Sequence, residues 1–147
     1  MDWVIDTDVL VQADRFENDH EHWVNVSQLL ANIRELQHSL VVDFDHKILG
    51  EYYSNLARSG WVVKWLGYLT ARGQVRQVSG DLPNSIYRGL RSLKFDVDDD
   101  VFIGVTTRTT DKHLLAEESD YSPEVTSFLS DHGISVVDCV AACARIR

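Results

Sequence analysis

"SLVVDFDHKILGEYYSNLA", residues 39–57, is the stretch that decides the fold. Leu40, Val41 and Val42 form a short apolar run that reads as a strand. Ile48, Leu49, Tyr52 and Leu56 then recur at helical spacing and give one apolar face. A strand that passes directly into a helix is the unit from which parallel sheets are built. The same alternation runs outward in both directions.

Towards the N-terminus, "WVIDTDVLV" (residues 3–11) reads as a first strand buried on both faces. In residues 22–36, Trp23, Val26, Leu29, Leu30, Ile33 and Leu36 make a helical stripe. Towards the C-terminus, residues 61–73 read as a helix closed by Gly73, and residues 85–94 as a short helix bearing Ile86, Leu90 and Leu93. "KHLLAE" (112–117) and "ISVVD" (134–138) read as strands, and "CVAACARIR" (139–147) as a last helix. Between those strands, Ser122 is placed to cap a helix with Pro123 at its first position, Glu124 at its positive end and Gly133 past its far end. "DVFIGVTT" (100–107) suits a strand by propensity and a helix by pattern. The expectation is one α/β domain over residues 1–147, with a mostly parallel sheet of four or five strands and helices on both faces.

Composition bounds the function. The chain has 147 residues, of which 44% are hydrophobic and only two are proline, as in a globular domain. No apolar run approaches the roughly 20 residues that span a bilayer, and the start lacks a basic leader, so a cytoplasmic protein without membrane contact is expected. Cys139 and Cys143 read as small apolar positions on the last helix, because two cysteines four apart make neither a disulfide framework nor a zinc knuckle. The net charge of −9 argues against tight, non-specific polyanion binding. Its distribution is acidic, basic, acidic: residues 56–94 hold seven Lys or Arg against Asp81 alone. Such a basic strip could face a polyanion while the acidic segments hold cations.

The acids fall at telling places. Asp6 and Asp8 follow the first expected strand, Asp43 and Asp45 the second, and Glu117, Glu118 and Asp120 the third. Glu51 lies on the helix after the second strand, and Asp100 opens the segment before the third. Groups just past the carboxyl ends of parallel strands converge on the crevice where such sheets bind ligands. Crowded carboxylates repel unless a cation neutralises them, and an all-oxygen donor set suits Mg²⁺ or Mn²⁺. Such ions serve phosphoryl chemistry.

Three stretches together resemble the PIN-domain family of metal-dependent nucleases: "VIDTDVLV", "VVDFDHKILGEYY" and "DDDVFIGVTTRTTDKHLLAEESDY". The resemblance implies a PIN-like three-layer fold, and it implies that "DVFIGVTT" is a helix. It implies an endonuclease for single-stranded RNA in which Asp6, Glu51 and Asp100, with Glu118 or Asp120, hold Mg²⁺ or Mn²⁺. Asp8, Asp43 and Asp99 form a second tier. Asp8 stands where the family usually has Asn, and "AEESD" departs from the family's Thr-x-Asp. Arg72, Arg76, Arg88, Arg91 and Lys94 would guide the RNA backbone. Many small members are toxins paired with an antitoxin, and many are dimers, so both partners are implied as candidates.

Two other readings compete. "IDTDVLV" echoes the Asp-x-Asp motif of haloacid dehalogenase-like phosphatases, although the glycine that should precede a later acidic stretch is missing from "DVDDDVF". A PIN-like scaffold that binds RNA or protein without cutting is the other. His20 and His22 read as solvated loop residues, and Trp61, Trp65 and Tyr68 as a core stripe.

Overall fold

The structure, a computed structural model, describes residues 1–15, 19–117 and 121–146. Among the described residues, five strands and eight α-helices alternate along the chain. They are β1 (Asp2–Ile5), α1 (Thr7–Asp14), α2 (His20–Glu35), β2 (Ser39–Asp43), α3 (Lys47–Asn55), α4 (Trp61–Ala71), β3 (Val75–Val78), α5 (Asn84–Ser92), α6 (Asp100–Thr106), β4 (His113–Leu115), α7 (Pro123–Asp131), β5 (Ser135–Val137) and α8 (Cys139–Arg145). A 3₁₀ turn, Val97–Asp99, leads into α6. No helix among the described residues is long and apolar enough to cross a membrane.

The strands form one all-parallel sheet in the order β3-β2-β1-β4-β5. The order reverses between β1 and β4, which makes that pair the switch point of a doubly wound sheet. Parallel strands need crossovers, and right-handed crossovers on either side of a switch point send helices to opposite faces. Packing agrees: α1 gathers α2, α3 and α4 around itself, while α6 lies across β1, β2 and β4 and α5 meets α7. The α/β architecture and the parallel sheet are therefore as expected, and the sheet has five strands.

Two local expectations change. The first strand ends at Ile5, and "VLV" belongs to α1, where Val9, Leu10 and Ala13 are buried on one face. Asp6 in extended conformation sits at the N-cap, so the strand stops at the first residue able to start a helix. The fifth strand, β3, was not expected, because "VRQV" carries two polar residues. It is the sheet's edge and pairs with β2 alone in the strand order, so it needs no continuous apolar run. The ambiguous "DVFIGVTT" is α6, as the resemblance implied. Phe102, Ile103, Gly104, Val105 and Thr106 are all buried, and a helix wrapped on every side has no polar face to reveal its period.

Helix ends follow their sequence signals. Ser122 Oγ accepts from the Val125 amide at 3.2 Å, and Gly73 and Gly133 take φ of +70° and +80° past the ends of α4 and α7. One further glycine is required by close approach. A Cβ on Gly104 would overlap the carbonyl of Gly80, because the loop after β3 lies directly on α6. Gly104→Ala should lower stability by about 1–3 kcal/mol, the usual cost of overpacking a rigid site. Gly50→Ala on α3, where a Cβ meets nothing within 4 Å, should raise it by about 0.5–1 kcal/mol. Urea unfolding of the two variants beside the parent checks both signs.

Candidate functional site

Parallel pairing aligns the ends of the strands, so whatever follows them shares one edge. Val4 and Ile5 pair with Leu114 and Leu115, and the Asp6 amide donates to the Leu115 carbonyl at 2.9 Å. Asp6 thus stands at the carboxyl end of the central strand, at the switch point, and is buried. Its side chain makes no cap hydrogen bond to α1. Asp8, in the first turn of the same helix, is exposed.

Glu51 reaches the same place from α3. The Thr7 hydroxyl donates to Glu51 Oε2, and the neighbouring Tyr52 hydroxyl donates to the Ile5 carbonyl. Tyr52 is fully buried against Phe102, with ring centroids 6.5 Å apart. Its phenol is pushed well above the ordinary range, first by burial and then by the charges of Asp6 and Glu51, with a smaller push from Asp43. The Tyr52–Ile5 and Thr7–Glu51 hydrogen bonds thus tie α3 to the chain on either side of Asp6, while among the described residues neither Asp6 nor Glu51 belongs to a group of three ligand atoms within 4.8 Å of one another.

The other acids are held in different ways. Asp43 is buried and accepts from the amides of Lys47 at 3.0 Å and Ile48 at 2.9 Å, which caps the start of α3. Asp100 is gripped by Arg91 through two hydrogen bonds, of 2.9 and 2.6 Å. The guanidinium also donates to the Phe95 carbonyl and lies 5.0 Å from the Tyr87 ring centroid. This pairing with Asp100 raises the pKa of Arg91. Asp99 caps the start of α6 by position and is half-buried. Asp43 and Asp100, with Asp45, Lys47, Asp81 and Asp98, line a cleft of about 640 Å³ whose lining includes neither Asp6 nor Glu51. Glu118 and Asp120 lie outside the described residues.

The expected RNA-guiding cations do not form one strip. Arg76 pairs with Asp2 at the start of β1, and Arg72 closes α4 just before β3, so both stand at the amino edge of the sheet. Arg72 lies 5.5 Å from the Tyr68 ring, which also receives Arg34. Arg91 is committed to Asp100, while Arg88 on α5 and Lys94 just after it are exposed. Of the aromatic stripe, Trp65 is core and donates to the Leu30 carbonyl at 2.8 Å, whereas Trp61 and Tyr68 are partly exposed.

One group was not expected. Among the described residues, the set whose ligand atoms all lie within 4.8 Å of one another is His22, Glu117 and Cys139. His22 stands on the first turn of α2, not in a solvated loop. The Cys139 thiol donates to Glu117 Oε1 at 3.2 Å, and His22 Nε2 lies 3.6 Å from the same oxygen. Burial pushes the Cys139 thiol strongly up, and the hydrogen bond to Glu117 adds to it.

Compared with known proteins, the chain matches no family model, no curated protein and no solved structure.

The Arg91–Asp100 pair generates a prediction. Both side chains are largely covered, at 27% and 14% exposure, so truncating one strands the other's charge. Arg91→Met should cost about 1–3 kcal/mol, and adding Asp100→Asn should recover part of that loss. A double-mutant cycle by urea unfolding reads the coupling.

Proposed function

We propose that this chain is a divalent-metal-dependent endoribonuclease of the PIN-domain kind, acting on single-stranded RNA. The observation that supports it most is the pair of hydrogen bonds, Thr7 to Glu51 and Tyr52 to the Ile5 carbonyl, that ties the Glu51 segment of α3 to the chain on either side of Asp6 at the switch point of the sheet. Open parallel sheets bind their ligands in that crevice. The donor set fits the group: two carboxylates, one from the end of β1 and one from α3, suit Mg²⁺ or Mn²⁺. When bound, such an ion supplies a water of lowered pKa and offsets charge on the phosphodiester.

The chain's own groups prepare the place. Asp6 and Glu51 would hold the ion. Thr7, through its hydroxyl, fixes the rotamer of the Glu51 carboxylate. Tyr52 stays un-ionised at neutral pH and ties that end of α3 to β1. Asp100 would join on exchanging its partner Arg91, whose planar guanidinium would then suit an RNA phosphate at the cleft. Tyr87, exposed beside that cleft, offers a ring on which a base could stack. Pairing with an antitoxin protein and formation of a homodimer belong to the same proposal and rest on the family resemblance alone.

A second reading, a PIN-like scaffold that binds without cutting, is favoured by a specific observation. Asp43 is engaged by the α3 amides and Asp100 by Arg91, which holds both back from a shared ion.

Incubating the purified protein with single-stranded RNA in EDTA, Mg²⁺ or Mn²⁺ separates the two. The nuclease reading expects cleavage only with metal. Asp6→Asn or Glu51→Gln should then slow it by at least about a hundredfold, since even changes behind a metal ligand cost about 10–100-fold. RNA left intact in every condition, across several substrates, would replace the nuclease with the scaffold.

A further inference from the structure

The group His22, Glu117 and Cys139 belongs neither to the Asp6–Glu51 site nor to the cleft, and the register of the sheet explains why it exists. Leu115 pairs with Val137 across β4 and β5. Glu117 and Cys139 each lie two residues past that pair, so neighbouring strands deliver a carboxylate and a thiol side by side. The third member comes from α2, which packs against α8. His22 and Asn25 are one turn apart on α2, as Cys139 and Cys143 are on α8. The Cys143 thiol lies 3.5 Å from the Asn25 carbonyl, which sets the two helices alongside one another and brings His22 to Cys139.

We propose that His22, Glu117 and Cys139 form a binding site for a thiophilic divalent transition metal of the Zn²⁺ class, separate from any Mg²⁺ or Mn²⁺ held by Asp6 and Glu51. The geometry fits. A tetrahedral centre with about 2.3 Å to sulfur and about 2.0–2.1 Å to nitrogen and oxygen has ligand-to-ligand edges of about 3.4–3.6 Å. The observed edges are 3.2 Å from sulfur to oxygen and 3.6 Å from nitrogen to oxygen. The third, from sulfur to nitrogen, is under 4.8 Å.

The donor chemistry is selective as well. A thiolate and an imidazole favour Zn²⁺ or Co²⁺ over Mg²⁺, which takes oxygen ligands. Binding exchanges the thiol proton for the ion, and a thiolate with a carboxylate matches its double charge. His22 and Glu117 keep 29% and 19% of their side chains exposed, which leaves the ion a way in, while Cys139 closes the inner side. Gln12 Oε1 meets the same Nε2 of His22, so loading trades that hydrogen bond for a metal bond. With three protein ligands, a fourth position stays open to water. The ion would join α2 to the ends of β4 and β5.

The test is titration of the reduced, metal-free protein with Co²⁺ under anaerobic conditions, followed by Zn²⁺. The expected result is one equivalent of Co²⁺ with a thiolate-to-metal charge-transfer band that Zn²⁺ removes. Cys139→Ser should abolish the band, and Cys143→Ser should leave it. His22→Ala, at a half-exposed position that should not unfold the chain, should weaken binding by at least about tenfold. Circular dichroism confirms that each variant is folded. No bound Co²⁺, binding without the charge-transfer band, or a band that survives Cys139→Ser would overturn the site. RNA cleavage plays no part in this readout, so failure of the nuclease reading leaves it standing.

Discussion

The pairing of β1 with β4, and of β4 with β5, is the constraint on which the rest of the molecule depends. Backbone hydrogen bonds set Ile5 beside Leu115 and Leu115 beside Val137, and each residue buried in this stack alternates with one that points the other way. A shift of one residue in either pairing would turn every side chain of a strand to the opposite face. It would also pull Asp6, Glu117 and Cys139 out of line. The sheet is thus both the core of the protein and the ruler that spaces its reactive groups.

The same edge explains how a chain of net charge −9 tolerates so many acids in one place. Four of the described carboxylates near the core each have their own arrangement. Asp43 rests on the amides of α3, Glu51 on the Thr7 hydroxyl, Asp100 on Arg91, and Glu117 on Cys139 and His22. Charge-assisted hydrogen bonds to nearby donors offset desolvation locally, so no matching cluster of lysines and arginines is needed. Arg91 is the exception, and its grip on Asp100 marks the boundary between the cleft and the basic α5. The arginines at the amino edge have a different occupation, with Arg76 on Asp2 and Arg72 against Tyr68.

Much of this was legible in the residues. The strand-then-helix unit in residues 39–57, the stripe of α2, the cap at Ser122 and the glycines after α4 and α7 are all local, and local signals survive folding. The edge strand β3 was hidden because an edge position relaxes the apolar requirement. The start of α1 was hidden because three consecutive apolar residues fit either period. For the site, Asp6 and Glu51 could be named from their positions relative to strands. Arg91 read as a free cation, since nothing in its sequence surroundings says that Asp100 returns to it across the 3₁₀ turn.

The sequence by itself determined the class of fold, the carboxyl-edge placement of the acids and the helices that surround the sheet, because periodicity and capping are properties of short segments. Only the tertiary structure decided which groups meet. His22 and Cys139 looked like a solvated histidine and a small core residue, and Glu117 like one acid among several. Glu117 and Cys139 lie 95 and 117 positions from His22 along the chain, and contact among the three requires both the β4–β5 register and the packing of α2 on α8. Such a meeting is a sum of pairings and crossovers over the whole chain, and no single stretch of residues encodes it.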